Sequence, residues 1–242
     1  MQALILSGGL GTRLRSVINQ QPKTLAPVAG KPFLYWLITY LQKNNITDFI
    51  FSLGYLHEQV AVFLKSEFPT LNYVTVIEEE PMGTGGAIKL CLPFCKNDEI
   101  LLVNGDTFFD LNIKAFYANF LSTQADCSIA LTPMQHFDRY GAVAITANNI
   151  ITDFKEKKHC DCGLINTGLV LFKTAIFKNK IKNLPSKFSF EKDFIEPNIS
   201  VLKITGYIAS EYFIDIGIPD DYQKSQMEIE ALFLAKKYSN IL

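Results

Sequence analysis

An apolar run, Ala3 to Leu6, gives way at once to Ser7-Gly8-Gly9-Leu10-Gly11-Thr12-Arg13-Leu14, with three glycines in four positions. The run has the length of a short buried strand, and the glycines mark a sharp turn at its end. Such a turn leaves backbone N–H groups unpaired and lets the chain come close to a ligand, which is the chemistry of a phosphate cradle. Arg13 adds a planar guanidinium that can grip phosphate oxygens through two hydrogen bonds. Two better-known glycine loops do not match. The dinucleotide pattern G-x-G-x-x-G fails at Leu14, where a third glycine should allow close helix packing, and no Gly-Lys-Ser/Thr closes a P-loop.

The strand and loop open an α/β pattern. Phe33 to Asn45 carries apolar residues at helical spacing, Asp48 to Leu53 is a continuous apolar strand, His57 to Phe68 reads as an amphipathic helix and Tyr73 to Ile77 as a third strand. Glycine-rich Gly83 to Leu92 is expected to be a helix, Glu99 to Val103 a strand, Ile113 to Leu121 a helix and Cys127 to Pro133 a strand. Undiluted apolar strands separated by helices argue for a parallel sheet covered on both faces. After Tyr140 the helical crossovers give way to short strands around Tyr140–Val143, Ile150–Lys157 and Gly163–Val170, a partly antiparallel extension of the sheet. Ser189 to Ile195 reads as a short acidic helix, Val201 to Tyr207 as a strand, Glu211 to Pro219 as a strand, an aspartate and a Gly-x-Pro turn, and Asp220 to Tyr238 as a final amphipathic helix. That helix should pack on the sheet edge or on a second subunit, which leaves room for a homodimer. No linker or repeat divides the 242 residues. One domain is expected over residues 1–242.

With 23 basic and 24 acidic side chains the net charge is −1. No global positive field recommends a nucleic-acid partner, so phosphate binding must be local. No apolar run reaches the eighteen or so residues of a spanning helix, and Met1 leads into the strand without a charged leader, so a cytoplasmic protein without a membrane partner is expected. The five cysteines, Cys91, Cys95, Cys127, Cys160 and Cys162, are odd in number, which favours free thiols in a reducing compartment. His159-Cys160-Asp161-Cys162 lacks the second ligand cluster that a zinc site needs.

Asn104-Gly105-Asp106 closes a strand where ligands of open α/β sheets gather, so Asp106 stands where a catalytic group belongs. Taken with Lys23, which lies between Pro22 and the run to Gly30-Lys31-Pro32, the first motif makes the sequence resemble the sugar-1-phosphate nucleotidyltransferases. The resemblance rests on Leu6-Ser7-Gly8-Gly9-x-Gly11-Thr12-Arg13-Leu14 followed by Pro22-Lys23, and runs to Phe213-Ile214-Asp215-Ile216-Gly217-Ile218-Pro219. It implies a Rossmann-like three-layer sandwich around a mixed, mostly parallel sheet. It also implies transfer of a nucleoside monophosphate to a sugar 1-phosphate with loss of pyrophosphate, with a nucleotide-binding half over residues 1–110 and a sugar-phosphate-binding half over 111–242. The chain's compact length and overall likeness point within the family to guanylyltransferases of heptose 1-phosphate, with mannose 1-phosphate or N-acetylmuramate 1-phosphate enzymes as alternatives. A nucleotide-sugar sensor without turnover is the reading from another class.

The resemblance also implies roles. Leu6, Ser7, Gly8, Gly9, Gly11 and Thr12 would bind the nucleotide, with Arg13 on the β- and γ-phosphates and Lys23 on the α-phosphate. Asp106 and Asp215 would hold Mg²⁺, a hard cation suited to two carboxylates plus phosphate oxygens. Gly83, Thr84 and Gly85 would lie against the base. Lys157 would take the sugar's phosphate, although no proline follows it as the family pattern has. Glu156, Tyr140, Gly141, Asn166, Thr167 and Glu191 would line the sugar pocket. Guanine offers two adjacent donors that one carboxylate can accept, so Glu80, or its neighbours Glu78 and Glu79, leans the donor toward GTP.

Overall fold

Along each inner strand, neighbouring apolar residues go to opposite faces of one sheet, as the two-residue period of a strand requires. The structure, a computed structural model, describes residues 1–9, 14, 18, 20–154 and 159–235. Its strands are β1 (Gln2–Ser7), β2 (Pro27–Val28), β3 (Lys31–Pro32), β4 (Asp48–Leu53), β5 (Asn72–Ile77), β6 (Glu99–Asn104), β7 (Thr107–Phe109), β8 (Cys127–Phe137), β9 (Ala142–Ile145), β10 (Ile151–Phe154), β11 (Cys160–Lys173), β12 (Ile204–Ile208) and β13 (Phe213–Asp215). The α-helices are α1 (Phe33–Lys43), α2 (His57–Glu67), α3 (Gly83–Cys91), α4 (Ile113–Thr123), α5 (Thr174–Lys180), α6 (Glu196–Asn198) and α7 (Pro219–Ala235), and a π-helical turn spans Phe190–Ile195.

The main sheet runs β10-β9-β11-β6-β1-β4-β5, with β8 pairing β11 and β12 pairing β8. β6, β1, β4 and β5 form a parallel block, and β11 joins it antiparallel to β6. The expected mixed sheet is therefore present, as are the parallel first half and the antiparallel extension. Ala3 and Ile5 of β1, Phe49 and Phe51 of β4, and Leu101 and Val103 of β6 enter one core with Leu34 and Leu37 of α1, Phe63 of α2, Phe116 of α4 and Phe233 of α7. Leu4, Ile50, Ile100 and Leu102 point the other way, into a second core with Ile88 of α3, Phe177 of α5 and Phe190 and Phe194 of the π-helical turn. Two cores on two faces make three layers. Burying each large apolar side chain contributes roughly 1.5–3 kcal/mol.

The sequence reading has no counterpart for α5, α6, the short β2–β3 hairpin or β7, whereas the strand expected before the Gly-x-Pro turn is present as β13, paired with β7 in a two-stranded ribbon. The ribbon bears most on the ligand site, because it sets Asp215 beside the turn at the end of β6. Phe213 pairs Phe109, Ile214 pairs Phe108 and Asp215 pairs Thr107.

Candidate functional site

The parallel strands β1 and β6 lie side by side, with Leu6 opposite Asn104, so their carboxyl ends stop at the same level. Gly105 makes the turn there by donating its N–H to the Leu6 carbonyl at 2.9 Å. A Cβ at position 105 would stand 2.6 Å from both that carbonyl oxygen and Ser7 Oγ. Gly105→Ala should therefore lower stability by about 1–3 kcal/mol, the usual cost of overpacking, read from the denaturant midpoint. An unchanged midpoint would mean that the turn is looser than this geometry requires.

Asp106 follows immediately. Its backbone carbonyl accepts from Ile216 N at 3.1 Å, and the β7–β13 register sets Asp215 beside Thr107. Two carboxylates far apart in the chain thus face each other. Lys23 meets them from a 3-10 turn, Lys23–Leu25, held by backbone bonds from Leu25 and Ala26. Its Nζ donates to Asp106 Oδ2 at 2.6 Å and lies 3.5 Å from Asp215 Oδ1. The ammonium balances two carboxylates that would otherwise repel. The Asp106 side chain keeps 38% of its surface exposed, so it can still reach a ligand.

A cleft of about 490 Å³ opens on this point, lined by Leu6, Ser7, Gly8, Gly9, Lys23, Thr24, Glu78, Gly83, Thr84, Asn104, Asp106 and Gly217, among others. Ser7 Oγ and Thr24 Oγ1 are buried at its wall without a hydrogen-bond partner among the described residues. An unpartnered buried hydroxyl costs about 1–3 kcal/mol, so both are set for a ligand with acceptor oxygens. Asn104 and Thr24 line the cleft without having been assigned a role from the sequence. Their position two residues before Asp106 and one after Lys23 was the available signal.

Other sequence-derived candidates land differently. Glu78, not Glu80, faces the cleft: its Oε1 accepts from Ser52 Oγ at 3.0 Å and its Oε2 from Met82 N at 3.2 Å, whereas Glu80 is exposed. Gly83 begins α3 with φ +72° and lines the cleft. Gly85 is buried, and a Cβ there would run into the Phe188 ring, so its small size serves packing. Thr84 donates to Glu191 Oε2 at 3.0 Å and accepts from Phe190 N at 2.8 Å. Glu191 is thereby drawn to the start of α3, on the side of the cleft formed by the first half of the chain.

Tyr140 donates its hydroxyl to Asp215 Oδ2 at 3.3 Å. Burial and then the Asp215 carboxylate push its phenol well above the ordinary value, so it remains protonated. Gly141 follows at the entrance to β9. Asn166 Oδ1 accepts from Gly168 N at 2.9 Å where the β8–β11 register breaks, and Gly168 packs against Asn104 of the cleft. The Thr167 hydroxyl is buried and donates to the Ala130 carbonyl at 2.9 Å, while the Thr167 carbonyl accepts from Thr107 Oγ1 at 3.0 Å. Gly11, Thr12, Arg13, Glu156 and Lys157 lie outside the described residues.

Among the described residues, no group of three or more His, Cys, Asp or Glu side chains is placed to hold a metal ion. Asp106 and Asp215 offer a hard-oxygen pair about Lys23, with the cleft supplying room for further ligand oxygens. Cys91 and Cys127 are buried thiols, which pushes Cys91 up to about 12 and Cys127 further above its usual range. Both stay neutral at physiological pH. No helix among the described residues is long and apolar enough to cross a membrane.

The chain is 43% identical over 230 residues to the D-glycero-alpha-D-manno-heptose 1-phosphate guanylyltransferase of Aneurinibacillus thermoaerophilus, covering 95% of this chain and 99% of that one. The Campylobacter jejuni enzyme of the same name is 43% identical over 222 residues, covering 92% and 97%. The crystal structure of HddC from Yersinia pseudotuberculosis superposes with a TM-score of 0.84 at 35% identity, covering 96% of this chain and 99% of that one. The same protein complexed with GMP-PN gives a TM-score of 0.83 at 34% identity, covering 93% and 97%. Since the family model described as Nucleotidyl transferase also matches residues 2–231, the chain belongs to the nucleotidyl transferase family.

Proposed function

We propose that this protein transfers GMP from GTP to D-glycero-α-D-manno-heptose 1-phosphate, releasing pyrophosphate and forming GDP-heptose for surface polysaccharide. The observation that carries this reading is the meeting of Lys23, Asp106 and Asp215 at the mouth of a cleft walled by a glycine turn. The names of the full-length relatives supply the base and the sugar.

The acceptor is a phosphate monoester with a second pKa near ~6, so its attacking oxygen is already anionic at neutral pH. No general base is needed. The obstacle is the approach of two polyanions, and the residues answer it with aimed positive charge and N–H donors. Backbone amides of Gly8, Gly9 and Gly11 cradle the triphosphate, with the unpartnered hydroxyls of Ser7 and Thr24 beside them. Arg13 takes the β- and γ-phosphates and stabilises departing pyrophosphate. Lys23 swings from the carboxylates to the α-phosphate, where charge grows in the transition state. Asp106 and Asp215 would hold Mg²⁺, a hard cation suited to carboxylate oxygens, and it would supply charge neutralisation at the phosphates.

Glu78 accepts from guanine N1–H and N2–H₂ in this reading; its position in the cleft lining supports it, and each of its oxygens keeps a lone pair beyond its present bond. Lys157 takes the sugar's phosphate, while Tyr140, Gly141, Asn166, Glu156 and the Thr167 backbone form the sugar side. Residues 1–110 then serve the nucleotide and 111–242 the sugar phosphate. With GTP as donor, the cytoplasm is the compartment for the reaction.

The test is pyrophosphate release with Mg²⁺, crossing GTP, UTP, CTP, dTTP and ATP against heptose, mannose, glucose and N-acetylmuramate 1-phosphates. Turnover confined to GTP with the heptose phosphate is the expected result. Turnover with another pair discards the substrate assignment and keeps the chemistry, and silence across the panel discards the activity.

A further inference from the structure

Arg139 has no part in the nucleotide or sugar contacts of the cleft, yet it sits in an unbroken chain of contacts that ends on Asp215. Its Nη2 donates to Asp221 Oδ2 at 2.5 Å. Asp221 belongs to the first turn of α7, a helix fixed to the β2–β3 hairpin by Gln226 Nε2, which donates to the Pro27 carbonyl at 2.8 Å. Gln226 Oε1 accepts from Ala29 N at 3.0 Å, which completes the tie. The guanidinium carbon also lies over the Tyr140 ring, 5.3 Å from its centroid. That ring also meets the Phe213 ring, 6.1 Å away between centroids and steeply inclined to it, and Phe213 shares β13 with Asp215. Tyr140 thus touches a cation and an aromatic ring, with its hydroxyl on Asp215 Oδ2. Asp215 Oδ1 is held separately, by Gly217 N at 2.7 Å. Both oxygens of this carboxylate are therefore oriented before any ligand arrives.

We propose that Arg139 is a positioning residue for the transferase reaction: anchored to α7 through Asp221, it fixes Tyr140, and Tyr140 fixes the Asp215 carboxylate that receives the metal. The inference rests on the assignment of Asp106 and Asp215 as the metal pair. A planar, always-charged guanidinium suits the task, because it can hold a carboxylate with its edge while lying on an aromatic face. Hydrogen-bond partners that orient a metal-binding carboxylate typically carry an order of magnitude or more in metal affinity.

The experiment compares the parent with Arg139→Met, Tyr140→Phe and the double variant. Mn²⁺ binding in the presence of GTP is followed by the electron paramagnetic resonance signal of free Mn²⁺, beside kcat, KM and the thermal midpoint. Each single substitution should weaken Mn²⁺ binding on the order of tenfold and lower kcat more than it raises KM for GTP. The double variant should be no weaker than the worse single one, since both act through one hydroxyl. Arg139→Lys, which keeps the charge and loses the fork, should recover part of the affinity. Additive losses, or a lowered thermal midpoint with Mn²⁺ affinity unchanged, would overturn the proposal, because a tie that only braces the fold predicts those results. A parent that binds no Mn²⁺ with GTP removes the metal assignment and this inference together. Normal parent binding with unaltered variants removes the inference alone.

Discussion

Asp106→Asn is expected to leave the protein folded and to lower turnover by a factor of ~10² or more, since it removes half of the carboxylate pair that faces the reacting phosphate. The fold should tolerate it. The side chain is part-exposed, the turn before it depends on Gly105, and the bond from Ile216 uses the Asp106 backbone carbonyl. Lys23 keeps Asp215 as a partner in the variant. Steady-state pyrophosphate release with the thermal midpoint as a folding control reads the result. Near-normal turnover would sink the assignment of Asp106 to the metal pair.

Lys23→Met makes the second large change. Met preserves much of the length and removes the charge, so the α-phosphate loses a cation aimed at its developing negative charge; turnover should fall by roughly 10²–10³. The variant also leaves Asp106 and Asp215 facing each other with no ammonium between them, where like charges disfavour the folded arrangement. Its thermal midpoint without divalent cation should therefore drop below the parent's, and added Mg²⁺ should raise it by more than it raises the parent's. The same Mg²⁺ response in both proteins would show that the lysine and the cation do not share this carboxylate pair. A fall in turnover without any loss of stability would restrict Lys23 to the phosphate alone.

Glu78 and Glu80 illustrate how a site can be legible in composition and illegible in geometry. Three consecutive carboxylates leave any one of them able to accept from a base edge, and nothing in the local spacing separates them. The choice is made by Ser52 on β4 and by the Met82 amide, which turn Glu78 inward while Glu80 stays in solvent. Gly8 belongs to the same selection, because a Cβ there would collide with Glu78 Oε1. Gly85 and Thr167 went the other way. Their residue types suit a ligand site, but a phenylalanine ring from a distant segment and the Ala130 carbonyl of β8 already occupy them.

The sequence by itself determined the layers and the end of the sheet at which the site lies. Undiluted apolar strands can be stable only with both faces covered, and their alternate residues do divide between two cores. A glycine turn and an aspartate at strand ends put the ligand beyond the carboxyl edge, because that edge is where the backbone of β1 and β6 runs out of partners. Tertiary structure alone decided which side chains meet there. A strand is expected before the Gly-x-Pro turn, but nothing in its sequence names the three-residue β7 as its partner, and that pairing brings Asp215 to Asp106 and Lys23. The chain from α7 through Arg139 and Tyr140 to Asp215 joins segments whose local sequences carry no trace of one another. Periodicity reports burial, which each residue expresses along its own strand or helix; a functional constellation depends on contacts between elements, and those are fixed only when the cores close.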